Sequence, residues 1–156
     1  MCIRDRLRND LSKVCKIGSV ETPSLFNLKS FAEMHHLVST VTGKLKNSEN
    51  AVSLLKACFP GGSVTGAPKI RAMEIINELE PTRRGPYCGA MGWFGYDGAM
   101  DTSIVIRSLI CEKDRIIAQA GGGIVADSLS KLEYDESLHK VRALLRCLDP
   151  EDRSCL

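Results

Sequence analysis

At 156 residues with a hydrophobic fraction of 44%, the chain carries enough apolar material for one buried core, and a single domain is the default expectation. Its 21 basic and 19 acidic residues leave a net charge of +2 without runs of like charge, which gives no footing for nucleic acid as a partner. No apolar stretch reaches the roughly 18 residues a membrane span needs, and the start has no charged-then-apolar leader pattern. The 7 cysteines are odd in number and include no C-x-x-C pair, so they predict free thiols in a reducing compartment and a cytoplasmic protein.

The opening Met1-Cys2-Ile3-Arg4-Asp5-Arg6 has neither helical nor strand periodicity and reads as a non-native start. From Leu7 to about Phe31, short apolar pieces such as Val14-Cys15-Lys16-Ile17 and Leu25-Phe26 are broken by Gly18 and Pro23, predicting brief strands and loops. The β-branched run His36 to Val41 predicts a strand. A helix is expected over Ser48 to Phe59, capped by Asn47 or Ser48, and Pro60-Gly61-Gly62 stops it. A second helix opens at Ala67-Pro68, with Ile70, Met73, Ile76 and Leu79 as its buried stripe, and Pro81 ends it.

The period then changes to two. Tyr87 to Tyr96, Thr102 to Cys111 and Arg115 to Ile124 predict a three-stranded antiparallel meander with turns at Asp97-Gly98 and Lys113-Asp114. Ser130 to Leu148 is amphipathic and closes the ordered pattern at Asp149-Pro150 as a final helix.

Three stretches carry the chemistry. Glu133, Glu136 and Lys140 stand at spacings of three and four and share one helix face. Two carboxylates there can hold a hard cation such as magnesium, and the same spacing also builds a solvated salt-bridge ladder. Ala120-Gly121-Gly122-Gly123-Ile124 can close backbone N–H groups around an anion, or simply form a bulge or loop. The turn from Pro60 to Lys69 leads into a helix N-terminus suited to an anion, but Ala67-Pro68 follows Gly66 where a nucleotide P-loop has Lys-Ser or Lys-Thr. Arg107, at the end of an apolar run, suits a carboxylate clamp or a wet strand edge, and Tyr87 and His36 suit proton or hydrogen-bond roles or ordinary strand positions.

Taken together, Arg8-Asn9-Asp10-Leu11, His36-Leu37-Val38-Ser39, Phe59 to Lys69, Arg71 to Ile76, Met100 to Ser103, Gly121 to Ser128 and Glu133-Tyr134-x-Glu136 resemble the chorismate-binding enzyme family. That family includes anthranilate synthase component I, aminodeoxychorismate synthase component I, isochorismate synthase and salicylate synthase. The resemblance implies an α+β fold, part of a layered antiparallel β-sandwich with outer helices, with 7–149 as the C-terminal part of a catalytic domain and 150–156 as a tail. It implies that Glu136 is a ligand of Mg2+, with Glu133 beside it in the ligand or water shell and Lys140 facing the same site. It places Arg107, Tyr87 and the backbone of Gly121 and Gly123 on the carboxylates of chorismate, Thr65 close to the substrate, and His36 near the C4 hydroxyl that leaves.

Within the family, Phe59-Pro60-Gly61-Gly62-Ser63-Val64-Thr65-Gly66 and Ala120 to Gly123 look like the aminodeoxychorismate synthase branch, whereas anthranilate synthases more usually read F-P-A-G-T-V-S-G and A-G-A-G. The implied partners are chorismate and a glutamine amidotransferase that supplies ammonia, with no nucleic acid and no membrane. The alternatives are an anthranilate synthase component I and a non-catalytic binding module. Family members are far longer, and an upstream metal-binding glutamate and a P-I-K-G-T lysine have no counterpart here, so the chain alone is expected to be inactive.

Overall fold

The computed structural model describes residues 3–30 and 35–148, without side chains at 3–5, 36 and 143. Among the described residues there are four helices and three two-stranded sheets, in the order α-β-β-α-α-β-β-β-β-α, in keeping with the α+β expectation. Two compact units divide them: Met1–Glu80 with Gly92–Thr102, and Pro81–Met91 with Ser103–Leu156.

The first unit opens with α1, Ile3–Val14, where no regular period was expected up to Arg6 and brief strands and loops from Leu7. Ile3, Leu7, Leu11 and Val14 recur at helical spacing, and the charged residues between them conceal that period in a linear reading. Asp10, Val14 and Cys15 are buried. The helix is followed by β1, Glu21–Ser30, and β2, His35–Thr42, a long hairpin whose register shifts twice between Glu21 and Asn27. The strand expected from His36 is therefore present. α1 packs against β2 and against α2, Ala51–Cys58.

α2 begins later than expected. Its N-cap is Asn50, whose Oδ1 accepts from the backbone N–H of Val52 and Ser53 at 3.0 and 3.1 Å, while Ser53 Oγ accepts from Asn50 N at 2.8 Å. This reciprocal box satisfies the first-turn donors, which neither Asn47 nor Ser48 is placed to do. α3, Lys69–Leu79, follows the glycine turn with Pro68 as its cap residue. The expected buried stripe is not buried: Ile70 and Leu79 are each 76% exposed and no residue of α3 is buried.

The expected meander is two separate hairpins. β3, Ala90–Phe94, pairs with β4, Met100–Ile104, and β5, Leu109–Cys111, pairs with β6, Ile116–Ala118. The Asp97-Gly98 turn is closed by Gly95 N donating to Ala99 O at 2.8 Å, with Gly98 in the left-handed region at φ +85°. The middle strand breaks after Ile104 because Arg107 adopts φ +51°, a conformation that ends β pairing and that few non-glycine residues take. α4, Ser130–Arg146, completes the second unit and packs against β6.

Among the described residues no helix is long and apolar enough to cross a membrane. Cys15, Cys58 and Cys111 are free thiols, as expected, and burial pushes the Cys58 thiol upward, helped by the nearby Asp10 carboxylate. Cys2 and Cys155 lie outside the described residues.

Candidate functional site

α4 presents Glu133, Glu136 and Lys140 on one face, and each is engaged. Glu133 Oε1 accepts from Ser128 Oγ at 2.5 Å, and Ser128 Oγ accepts in turn from Val125 N at 3.0 Å, within a tight turn just ahead of the helix. Glu136 Oε1 lies 2.6 Å from Lys140 Nζ one turn along. Lys140 Nζ also donates to Gly121 O at 3.2 Å, tying the glycine run to the helix.

Gly122 sits where these groups meet. A methyl on its α-carbon would lie 3.0 Å from Glu133 Oε2, 3.9 Å from Lys140 Nζ and 4.0 Å from Glu136 Oε1. The Gly122 α-carbon thus lies beside one carboxylate and an ion pair, and a side chain there would crowd Glu133 first. Gly121 has Tyr87 Oη 3.4 Å from the corresponding position, so the tyrosine reaches the same glycine run. Tyr87 also lines a shallow hollow with Val105, Ser108, Ile110 and Gln119. The loop carrying Tyr87 is pinned by Cys88 N donating to Val105 O at 2.7 Å and Val105 N donating to Gly89 O at 3.0 Å.

The structure therefore brings Tyr87, Gly121, Glu133, Glu136 and Lys140 together in the second unit. Gly123 belongs to the same run but has nothing within 4 Å of where its side chain would start. The sequence predicted Arg107 at the end of a strand; it is instead exposed in the β4–β5 break. Thr65 lies in the first unit, half-buried, with Oγ1 donating to Gly61 O at 3.0 Å. The His36 side chain lies outside the described residues. Two participants, Gly122 and Ser128, escaped the sequence reading as functional residues. The signal for the first was its place between two glycines already singled out, and for the second a serine five residues ahead of Glu133.

Lys140 holds the Glu136 carboxyl below the usual glutamate range, chiefly by hydrogen bonding and then by its charge, with burial opposing slightly. No cluster of three or more acidic, histidine or cysteine side chains that could hold a metal occurs among the described residues. Magnesium does not require one, because it commonly takes one or two protein carboxylates and fills its octahedron with water and substrate oxygens. Glu133 and Glu136 are side chains of the type that demand calls for, with Glu136 Oε1 shared with the Lys140 ammonium at 2.6 Å.

A family described as chorismate binding enzyme matches residues 1–146. The chain belongs to this family. The chain is 51% identical over 149 residues to aminodeoxychorismate synthase component 1 of Escherichia coli, covering 96% of this chain and 33% of the relative. Anthranilate synthase component 1 of Synechocystis is 49% identical over 146 residues, covering 90% of this chain and 29% of the relative. The chain thus spans about a third of the length of the curated relatives it matches. The crystal structure of anthranilate synthase component I from Streptococcus pneumoniae superposes with a TM-score of 0.86 at 41% identity, covering 91% of this chain and 33% of that one. An isochorismate synthase structure from Bacillus anthracis gives a TM-score of 0.84 at 27% identity, over 94% and 39% of the two chains. The fold of this chain is therefore that of the chorismate-binding enzymes.

Proposed function

We propose that this chain supplies the C-terminal part of a cytoplasmic, magnesium-dependent aminodeoxychorismate synthase of para-aminobenzoate and folate synthesis. In the reaction, ammonia from a glutamine amidotransferase partner adds to chorismate as the C4 hydroxyl leaves, giving 4-amino-4-deoxychorismate and water. The observation that carries the reading is the space at Gly122, faced by Glu133 Oε2, Glu136 Oε1 and Lys140 Nζ, in a chain of a family whose substrate is a dianion.

Glu136 and Glu133 would hold the magnesium ion. When bound, it would supply positive charge and Lewis acidity at the ring carboxylate. The rest falls to the chain's own groups. Ser128 fixes one oxygen of Glu133 and leaves Oε2 turned toward Gly122. Lys140 pairs with Glu136 and holds the glycine run against α4. Tyr87, Arg107 and the backbone of Gly121 and Gly123 would bind the substrate carboxylates, a task for which directed donors outperform a diffuse charge. Thr65 would lie close to the ring and His36 near the departing hydroxyl.

An anthranilate synthase is the second reading, and the Synechocystis relative supports it. The Gly61-Gly62 and Gly121-Gly122-Gly123 wording favours the first. A hybrid enzyme, in which this chain replaces the matching third of the Escherichia coli relative, tests both when supplied with chorismate, magnesium and ammonia. Formation of 4-amino-4-deoxychorismate is the expected result. Anthranilate as the product would favour the second reading, and a properly folded hybrid with no turnover would refute both. The chain by itself is expected to give no turnover.

A further inference from the structure

The turn from Phe59 to Pro68, which joins α2 to α3 and carries Thr65, is gripped from outside by charge. Lys69 Nζ donates to Cys58 O at 3.4 Å and to Asp10 Oδ2 at 2.9 Å. One ammonium thus reaches from the residue that follows the turn to the carbonyl that precedes it. Asp10 is 4% exposed, and its other oxygen accepts from Lys13 Nζ at 2.8 Å. A buried carboxylate needs such partners, since isolated it would be strongly destabilising. A lysine in the first turn of a helix faces the unfavourable end of the helix dipole, which the Asp10 charge offsets. Inside the turn, Thr65 Oγ1 donates to Gly61 O at 3.0 Å and Val64 N to the same carbonyl at 3.1 Å. Gly66 comes so close to α3 that a side chain there would meet Ala72 Cβ at 2.7 Å.

We infer that Asp10 and Lys69 form a positioning pair that clasps both ends of this turn and so fixes where Thr65 is presented. Neither residue touches the substrate; they act through the turn. The consequence for chorismate rests on the function proposed above, whereas the clasp itself does not. The lysine that closes this phosphate-loop-like stretch therefore directs its charge at Asp10.

The test is residue-resolved amide hydrogen exchange and chorismate titration of the full chain, with Asp10→Asn, Lys69→Met, Lys69→Arg and the reversed pair Asp10→Lys with Lys69→Asp. Removing either charge is expected to speed exchange at residues 61–66 about tenfold or more, while the β1–β2 hairpin and α4 keep their protection. Lys69→Arg, which can still pair with Asp10, is expected to restore the turn. With chorismate and magnesium, the Thr65 amide is expected to lose its response in Lys69→Met while Gly121 to Gly123 keep theirs. Unchanged exchange in both single variants would overturn the proposal. So would loss of protection throughout the chain in both, because the pair would then be a general folding contact. A wild-type chain in which none of these amides responds to chorismate would count against the proposed function, and the exchange result would still decide the clasp.

Discussion

Replacing Gly122 by alanine places one methyl at the centre of the carboxylate cluster. The added carbon would sit 3.0 Å from Glu133 Oε2, and ordinary contact begins near 3.4 Å, so the carboxylate must withdraw by the difference, about 0.4 Å. It cannot withdraw freely, because Ser128 holds its other oxygen at 2.5 Å. The contacts to Lys140 and Glu136, at 3.9 and 4.0 Å, tolerate the methyl. Gly122 is not in the left-handed region, so alanine loses nothing through backbone strain. It gains about 0.4–1 kcal/mol by restricting the unfolded chain. Strain at Glu133 offsets a similar amount, and net stability should stay within about 1 kcal/mol of the parent. Magnesium, with bonds near 2.0–2.1 Å and little tolerance for distortion, should feel the change far more. A loss of about tenfold in affinity is expected, the lower end of what displaced supporting groups cost metal sites. Calorimetric titration of magnesium into the chain with chorismate, beside thermal unfolding, measures both quantities. Gly123→Ala, with open space around its position, is the control and should be silent in both. Equal magnesium affinity in Gly122→Ala and Gly123→Ala would refute the reasoning.

Other predictions bear on the same elements. In the hybrid enzyme, Glu136→Ala should abolish magnesium-dependent turnover while the circular dichroism spectrum stays that of the parent; unchanged magnesium dependence would remove Glu136 from the metal. Lys140→Met should let the Glu136 carboxyl return to the ordinary glutamate range, seen by carboxyl NMR titration. Because Lys140 lowers the folded-state value, its contribution is present above the ordinary glutamate pKa and is lost as pH falls through the lower folded value. The stability gap between parent and Lys140→Met should therefore be at most about 0.5 kcal/mol near neutrality, as for an exposed pair one helical turn apart, and close in acid. Asn50→Ala removes the acceptor of the α2 capping box and should cost about 1 kcal/mol in urea unfolding.

What the sequence disclosed, it disclosed through local spacing. Glu133, Glu136 and Lys140 share a face because three- and four-residue steps on a helix always do, and the Asp97-Gly98 turn follows from glycine's freedom at positive φ. α1 escaped because its apolar period is interleaved with charges, one of which, Asp10, is buried against two lysines. No pattern in a linear text announces a buried carboxylate whose partner stands 59 residues away. The meander was misjudged at Arg107, where an apolar run continues in composition but the backbone turns to φ +51°. The stripe on α3 has the right period, yet Ile70 and Leu79 remain open to solvent. Periodicity identifies the face a helix would bury; whether anything covers it is a matter of tertiary structure. The grouping of Tyr87 with Gly121, and the space at Gly122, likewise depend on chain segments that only the fold brings together.

In the proposed function a divalent cation would be held by the acidic face of α4 beside the glycine run. Manganese substituted for magnesium makes that directly visible, because its unpaired electrons broaden the NMR signals of nearby nuclei. In the chain titrated with manganese and chorismate, the amides of Gly121 to Gly123 and the side chains of Glu133 and Glu136 should broaden first, and the effect should vanish in the Glu133→Ala, Glu136→Ala double variant. Broadening centred elsewhere, or persisting undiminished without the two carboxylates, would contradict the account.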